Sequence, residues 1–137
     1  MREIKFRLIK EGKIVGYEKH ILSCGKIQIF HSTNGDDEPR WEWWNIQIVK
    51  RRWIEHDDKE QFTGLRDKNS REIYEGDICQ FSSLSKRTIV FKDGAFGYEE
   101  IKDFIAFGGH YHFYSIMAEI EVLGNIHENP ELLKEGE

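Results

Sequence analysis

The chain has 137 residues (16.3 kDa), a net charge of −5, and is 39% hydrophobic and 13% aromatic. That size and apolar content suit a single folded domain, or a compact domain with an insertion, which needs neither disulfide nor metal to bury a core. No apolar run approaches the roughly 18 residues of a membrane span, and the acidic balance is a poor start for a general nucleic-acid binder, which needs a basic footprint.

The charge is unevenly spread. Residues 1–30 hold seven Lys or Arg against three Asp or Glu, whereas residues 97–137 hold two against nine. Such ends complement each other, within one chain or across subunits. Met1 leads directly into Arg2-Glu3-Ile4-Lys5 with no apolar targeting segment, so a cytoplasmic protein is expected. Cys24 and Cys79 lie in β-like runs and are expected to be reduced and buried.

Taken in order, Ile4, Phe6 and Leu8 alternate with Lys5, Arg7 and Ile9, a first strand. Glu11-Gly12-Lys13 turns the chain into a second strand, and Cys24-Gly25 breaks it before a third that includes Ile27, Ile29 and His31. Ser32 to Pro39 reads as a polar loop. Trp41 to Ile54 (WEWWNIQIVKRRWI) fits either period, and its aromatic and β-branched content favours strand.

Phe62 to Phe81 (FTGLRDKNSREIYEGDICQF) organises the rest. A short strand ends at Gly64, Asp67 to Ser70 turn, Arg71 to Tyr74 extend, Glu75-Gly76-Asp77 turn again, and Ile78 to Phe81 alternate. Lys92-Asp93-Gly94 is a hairpin turn, since Asp-Gly suits the turns that match strand twist. Ile101, Phe104 and Ile105 predict a short helix over Glu100 to Phe107. His110 to Ile116 and Glu119 to Ile126 are the last strands, and Asn129-Pro130 starts a short helix.

FTGLRDKNSREIYEGDI is similar to the signature of the YopX family, small proteins of phages and prophages. Thr63, Gly64, Leu65, Asp67, Asn69, Tyr74, Glu75, Gly76 and Asp77 are among the matching positions. MREIKFRL, VFKDGAFG and EIEVLGNIHENPELL resemble further family segments, while about Ile9 to Lys59 match none of them. Ser70 stands where the family usually has Gly, and Leu8 where it often has Ala-Trp. The resemblance implies a protein with no assigned enzymatic activity that forms homo-oligomers or holds a phage or host protein.

Catalytic signatures are missing from the sequence: no nucleophile elbow, Walker loop or dinucleotide fingerprint. No catalytic residue, metal or cofactor is expected. His110 and His112 share a strand face with the spacing of two metal ligands, but no further ligand stands at a recognisable spacing. They mark a metal-dependent enzyme as a second alternative. Asp77 is expected to bond the amides of its own turn. Trp43 and Trp44 beside Lys50, Arg51 and Arg52 combine stacking faces with phosphate-seeking cations, the chemistry of single-strand binders. Burial or a protein contact is the simpler use of those aromatics.

The expected fold is mainly β: a small, SH3-like, partly open barrel over residues 61–137 with a short C-terminal helix. A strand plus a less regular β-rich section, residues 1–60, packs on it. The expected function is a non-enzymatic binding or assembly module, with single-stranded nucleic-acid binding as the alternative.

Overall fold

A computed structural model describes residues 4–35, 43–48, 50–81, 86–92, 94–100, 103–106 and 120–133. The chain divides into two compact units, residues 1–62 and 63–137. Both are built from antiparallel strands.

In the first unit, β1 (Ile4–Lys10), β2 (Lys13–Ser23) and β3 (Lys26–Ser32) form a meander. The two-residue strand β4 (Trp44–Asn45) pairs with β3, and the start of β5 (Asp58–Arg66) pairs with β1. Ser23 lies opposite Lys26, so Cys24 and Gly25 alone make the β2–β3 turn. Cys24 takes a φ of 53° there and is exposed, contrary to the expected burial. A two-residue hairpin needs positive φ at its centre, and that requirement overrides the burial preference of a thiol.

The alternation in β1 is real, but the apolar set does not define the buried side. Lys5 and Arg7 are buried while Ile4 is exposed. Arg7 lies opposite Glu60 and donates to it at 2.7 Å, and Lys5 donates to the carbonyl of Gly35. Partners, not hydrophobicity, decide which face is covered.

Trp41 to Ile54 was expected to be strand. Among its described residues only Trp44–Asn45 pair as strand, followed by turns and one 3-10 turn at Lys50–Arg52. Asn45 explains the stop: its side-chain oxygen accepts from the Gln47 amide and its carbonyl accepts from Ile48, local bonds that compete with a ladder.

In the second unit, the end of β5 is followed by β6 (Glu72–Tyr74). β7 (Asp77–Gln80), β8 (Lys86–Lys92), β9 (Ala95–Glu100), β10 (Asp103–Ala106) and β11 (Glu121–Asn125) form a five-stranded sheet in the order β10-β9-β8-β7-β11. β8 and β9 form the expected hairpin, with Lys92 opposite Ala95. Of the run Glu100 to Phe107 expected to be helix, the described residues Glu100 and Asp103–Ala106 lie in the ladder of β9 and β10, where Asp103 pairs with Glu100 and Ile105 with Tyr98. Three apolar residues at helical spacing yield to a neighbouring strand edge that offers backbone partners. β5 does not end at Gly64 but runs on to Arg66. The Thr63 hydroxyl supports this passage, donating to the Ile73 carbonyl at 2.7 Å and accepting from the Leu65 amide.

The apolar core of this unit gathers Ile73, Cys79, Phe81, Ile89, Tyr98, Ile120 and Val122. Among the described residues the strands form two antiparallel sheets and close no barrel. The C-terminal helix is only a 3-10 turn, Pro130–Leu133, closed by the Leu132 amide on the Asn129 carbonyl. No helix among the described residues is long and apolar enough to cross a membrane.

Candidate functional site

The family signature resolves into turn architecture. Asp67 opens the β5–β6 turn, and its Oδ1 accepts from the amides of Asn69 and Arg71 at 2.8 and 2.9 Å. Its Oδ2 accepts from the Val122 amide at 2.9 Å, tying the turn to β11. Burial alone would push this carboxyl up, but the three amides outweigh it and hold it below its ordinary range. Ser70 takes a φ of 66°, the left-handed conformation that the family's usual glycine adopts freely. Asp77 behaves as expected, accepting from the Tyr74 amide at 2.8 Å. Between them Gly76, at φ 89°, donates to the Ile89 carbonyl and accepts from Ile126. The Tyr74 hydroxyl donates to Glu72. Asp67 and Asp77 are therefore held by backbone amides, as fixtures of turns.

A polar cluster that sequence reasoning missed lies in the first unit. A two-residue turn at Cys24-Gly25 places His31 directly opposite Glu18. Counting back from that turn would have found the pair. The buried Glu18 carboxylate accepts from His31 Nε2 at 3.0 Å, His20 Nε2 at 2.7 Å and Lys59 Nζ at 2.9 Å. Burial by itself pushes the Glu18 carboxyl up. The bonds from His31, His20 and Lys59 overcome that and hold it far below the ordinary carboxylate range.

His31 is fully buried, and its Nδ1 accepts from the Ile54 amide at 3.0 Å. That bond places the single ring proton on Nε2, facing Glu18. The Ile54 carbonyl in turn accepts from His56 Nδ1 at 2.8 Å. Ile54 is thus held between two imidazoles. Trp53 lies against both rings, with centroids 4.5 Å from His31 and 5.3 Å from His56. Gly16 makes room for the arrangement: a Cβ there would stand 2.6 Å from Ile54 Cδ1.

The residues singled out as a cation–aromatic surface divide into two environments. Arg52 lies over the Trp44 ring at 4.6 Å, and Lys19 and Lys5 face the Trp43 ring at 4.4 and 5.8 Å. Arg51 and Arg52 are exposed, and Lys50 opens the 3-10 turn that carries them. Beyond His20 the same sheet face turns apolar: Leu22 and Ile27, opposite one another, are 55% and 58% exposed, with Ile4 also exposed. Trp53 is 47% exposed. His110 and His112 lie outside the described residues, and among those described no group of three His, Cys, Asp or Glu is arranged to hold a metal ion.

The chain is similar to a solved structure, protein EF1440 from Enterococcus faecalis, at 26% identity and a TM-score of 0.49, covering 95% of this chain and 97% of that one. No curated protein matches. The family model described as YopX protein matches residues 14–134, including most of the N-terminal section where no family segment was evident. With that match spanning most of its length, and with signature residues that build its two central turns, the chain belongs to the YopX family.

Proposed function

We propose that this protein is a non-enzymatic binding and assembly module, encoded by a phage or prophage and working in the bacterial cytoplasm, whose first partner is a second copy of itself. One observation carries the reading. Leu22 and Ile27 lie exposed side by side near the tip of the β2–β3 hairpin, with Ile4 on the same face. An apolar group of this kind marks a contact surface. The basic first 30 residues and the acidic stretch from residue 97 supply complementary partners for a head-to-tail contact between copies. The two turn aspartates support a scaffold role, since their oxygens are committed to backbone amides. The SH3-like curl expected of the second unit belongs to this proposal; the sheet order, with β11 returning beside β7, supports it.

Light scattering at dilute protein tests the reading. An assembly that dissociates in the double variant Leu22→Ser, Ile27→Ser supports it. A strict monomer across the concentration range ends it.

Single-stranded nucleic acid is the second reading, favoured by the exposed run Arg51, Arg52 and Trp53. Against it, Trp43 and Trp44 already carry cations of their own chain over a ring face. Salt-dependent quenching of tryptophan by oligonucleotides would support it, and no change at low salt would dismiss it.

A further inference from the structure

We propose that His31 is a proton-operated latch, which holds the Trp53–His56 segment on the first unit's sheet at neutral pH and lets it go on mild acidification, with Asp57 staying anchored by its amide on the Ile9 carbonyl. The inference deepens the binding-module reading, because the latched segment carries the exposed Trp53 beside Arg52.

The geometry is specific. His31 has two ring nitrogens and both are committed: Nε2–H donates to Glu18, and Nδ1 accepts from the Ile54 amide. A second proton has one place to go, Nδ1. Once there, Nδ1 becomes a donor facing the Ile54 N–H, and that amide loses its acceptor. A half-buried donor facing another donor is unfavourable, so the segment moves away to water instead.

The surrounding groups set the direction. Glu18 on β2 faces Nε2 and welcomes positive charge on the ring. His20, also on β2, and Lys59 on β5 share the same carboxylate and partly neutralise it. His56 stands 6.0 Å from His31, ring to ring, and donates its Nδ1 proton to Ile54. Arg52, over the neighbouring Trp44, adds a further cation. Trp53 covers the ring. Closed, both ring nitrogens of His31 are taken and no second proton fits without breaking the Ile54 bond; open, Nδ1 can accept one. The open form therefore binds more protons, and acid favours it. Glu18 stays ionised in mild acid, because its carboxyl is held far below the ordinary range.

Amide hydrogen exchange by NMR tests the latch in the whole protein. Protection is expressed relative to intrinsic exchange, so that pH itself cancels. The Ile54 amide is expected to lose protection about tenfold between pH 7.5 and 5.5, with the β1–β2 amides unchanged. In His31→Gln, which keeps a donor and an acceptor but does not titrate, the pH dependence should vanish, while His56→Gln and His20→Gln should retain it. Unchanged wild-type protection at Ile54, a loss shared by the whole sheet, or a loss that survives in His31→Gln each overturns the latch. The wild-type measurement decides even where a variant fails to fold. Light scattering at both pH values separates the two ideas: a monomer at both removes the assembly reading and leaves the latch to be judged by Ile54 alone.

Discussion

The two units share antiparallel strands and short turns but differ in the balance of what they bury. The second seals Ile73, Cys79, Phe81, Ile89, Tyr98, Ile120 and Val122 into one apolar cluster. The first buries Lys5, Arg7, Glu18, His31 and Glu60. Apolar burial is non-directional and scales with area, at roughly 25 cal/mol per Å². Buried charge is conditional: each group is tolerable only while its partners are in place. The first unit should therefore be the one that responds to protons and to the loss of a single partner. The second should respond to lost volume.

The largest expected effect comes from Glu18→Ala, which deprives His31, His20 and Lys59 of their common acceptor. It should cost ~3–5 kcal/mol, with exchange protection lost first from β1, β2 and β3. Equal loss in both units would break the comparison. Ile89→Ala, a cavity in the apolar cluster, should cost about 3 kcal/mol in denaturant titrations, by the same amount at pH 7 and pH 5. A strong pH dependence would show that the second unit is also held by titrating groups.

Acid sharpens the contrast further. Glu18 has a folded pKa far below its unfolded one, so its stabilisation is complete above the range where free glutamate titrates, about pH 4.3. It is lost as pH falls from there toward the folded value. Asp67 shifts in the same direction in the second unit. In the wild type the urea midpoints of both units should be lower at pH 3 than at pH 7, and Glu18→Gln should flatten the dependence of the first unit. The smallest effect is a gain: Ser70→Gly removes a left-handed serine and should add roughly 0.5–1 kcal/mol, read as a higher urea midpoint.

Local turn chemistry was the legible part of the fold. Asp67 to Ser70, Glu75 to Asp77 and Asp93-Gly94 declare themselves by residue type, and the strands between them follow. Where neighbours decide, the sequence misleads. Ile101, Phe104 and Ile105 carry a helical period, yet the described part of this run, Asp103–Ala106, pairs with β9. Ile4 and Phe6 look like a core face, yet Arg7 is the better buried residue because Glu60, distant in sequence, stands opposite. The Glu18 cluster was hidden for the same reason. Its members lie up to 41 positions apart and meet only through strand register. The Trp-Arg run had the reverse problem: it was conspicuous by composition, yet Trp43 and Trp44 lie under cations of their own chain.

The two cysteines have opposite fates, and that makes the molecule easy to address. Cys79 is sealed inside the apolar cluster, while Cys24 sits open at a hairpin tip. A maleimide dye or spin label added to the native protein should go to a single place, the end of the β2–β3 hairpin, without mutagenesis. Distances between labels in any self-assembled particle would then report how those tips are spaced.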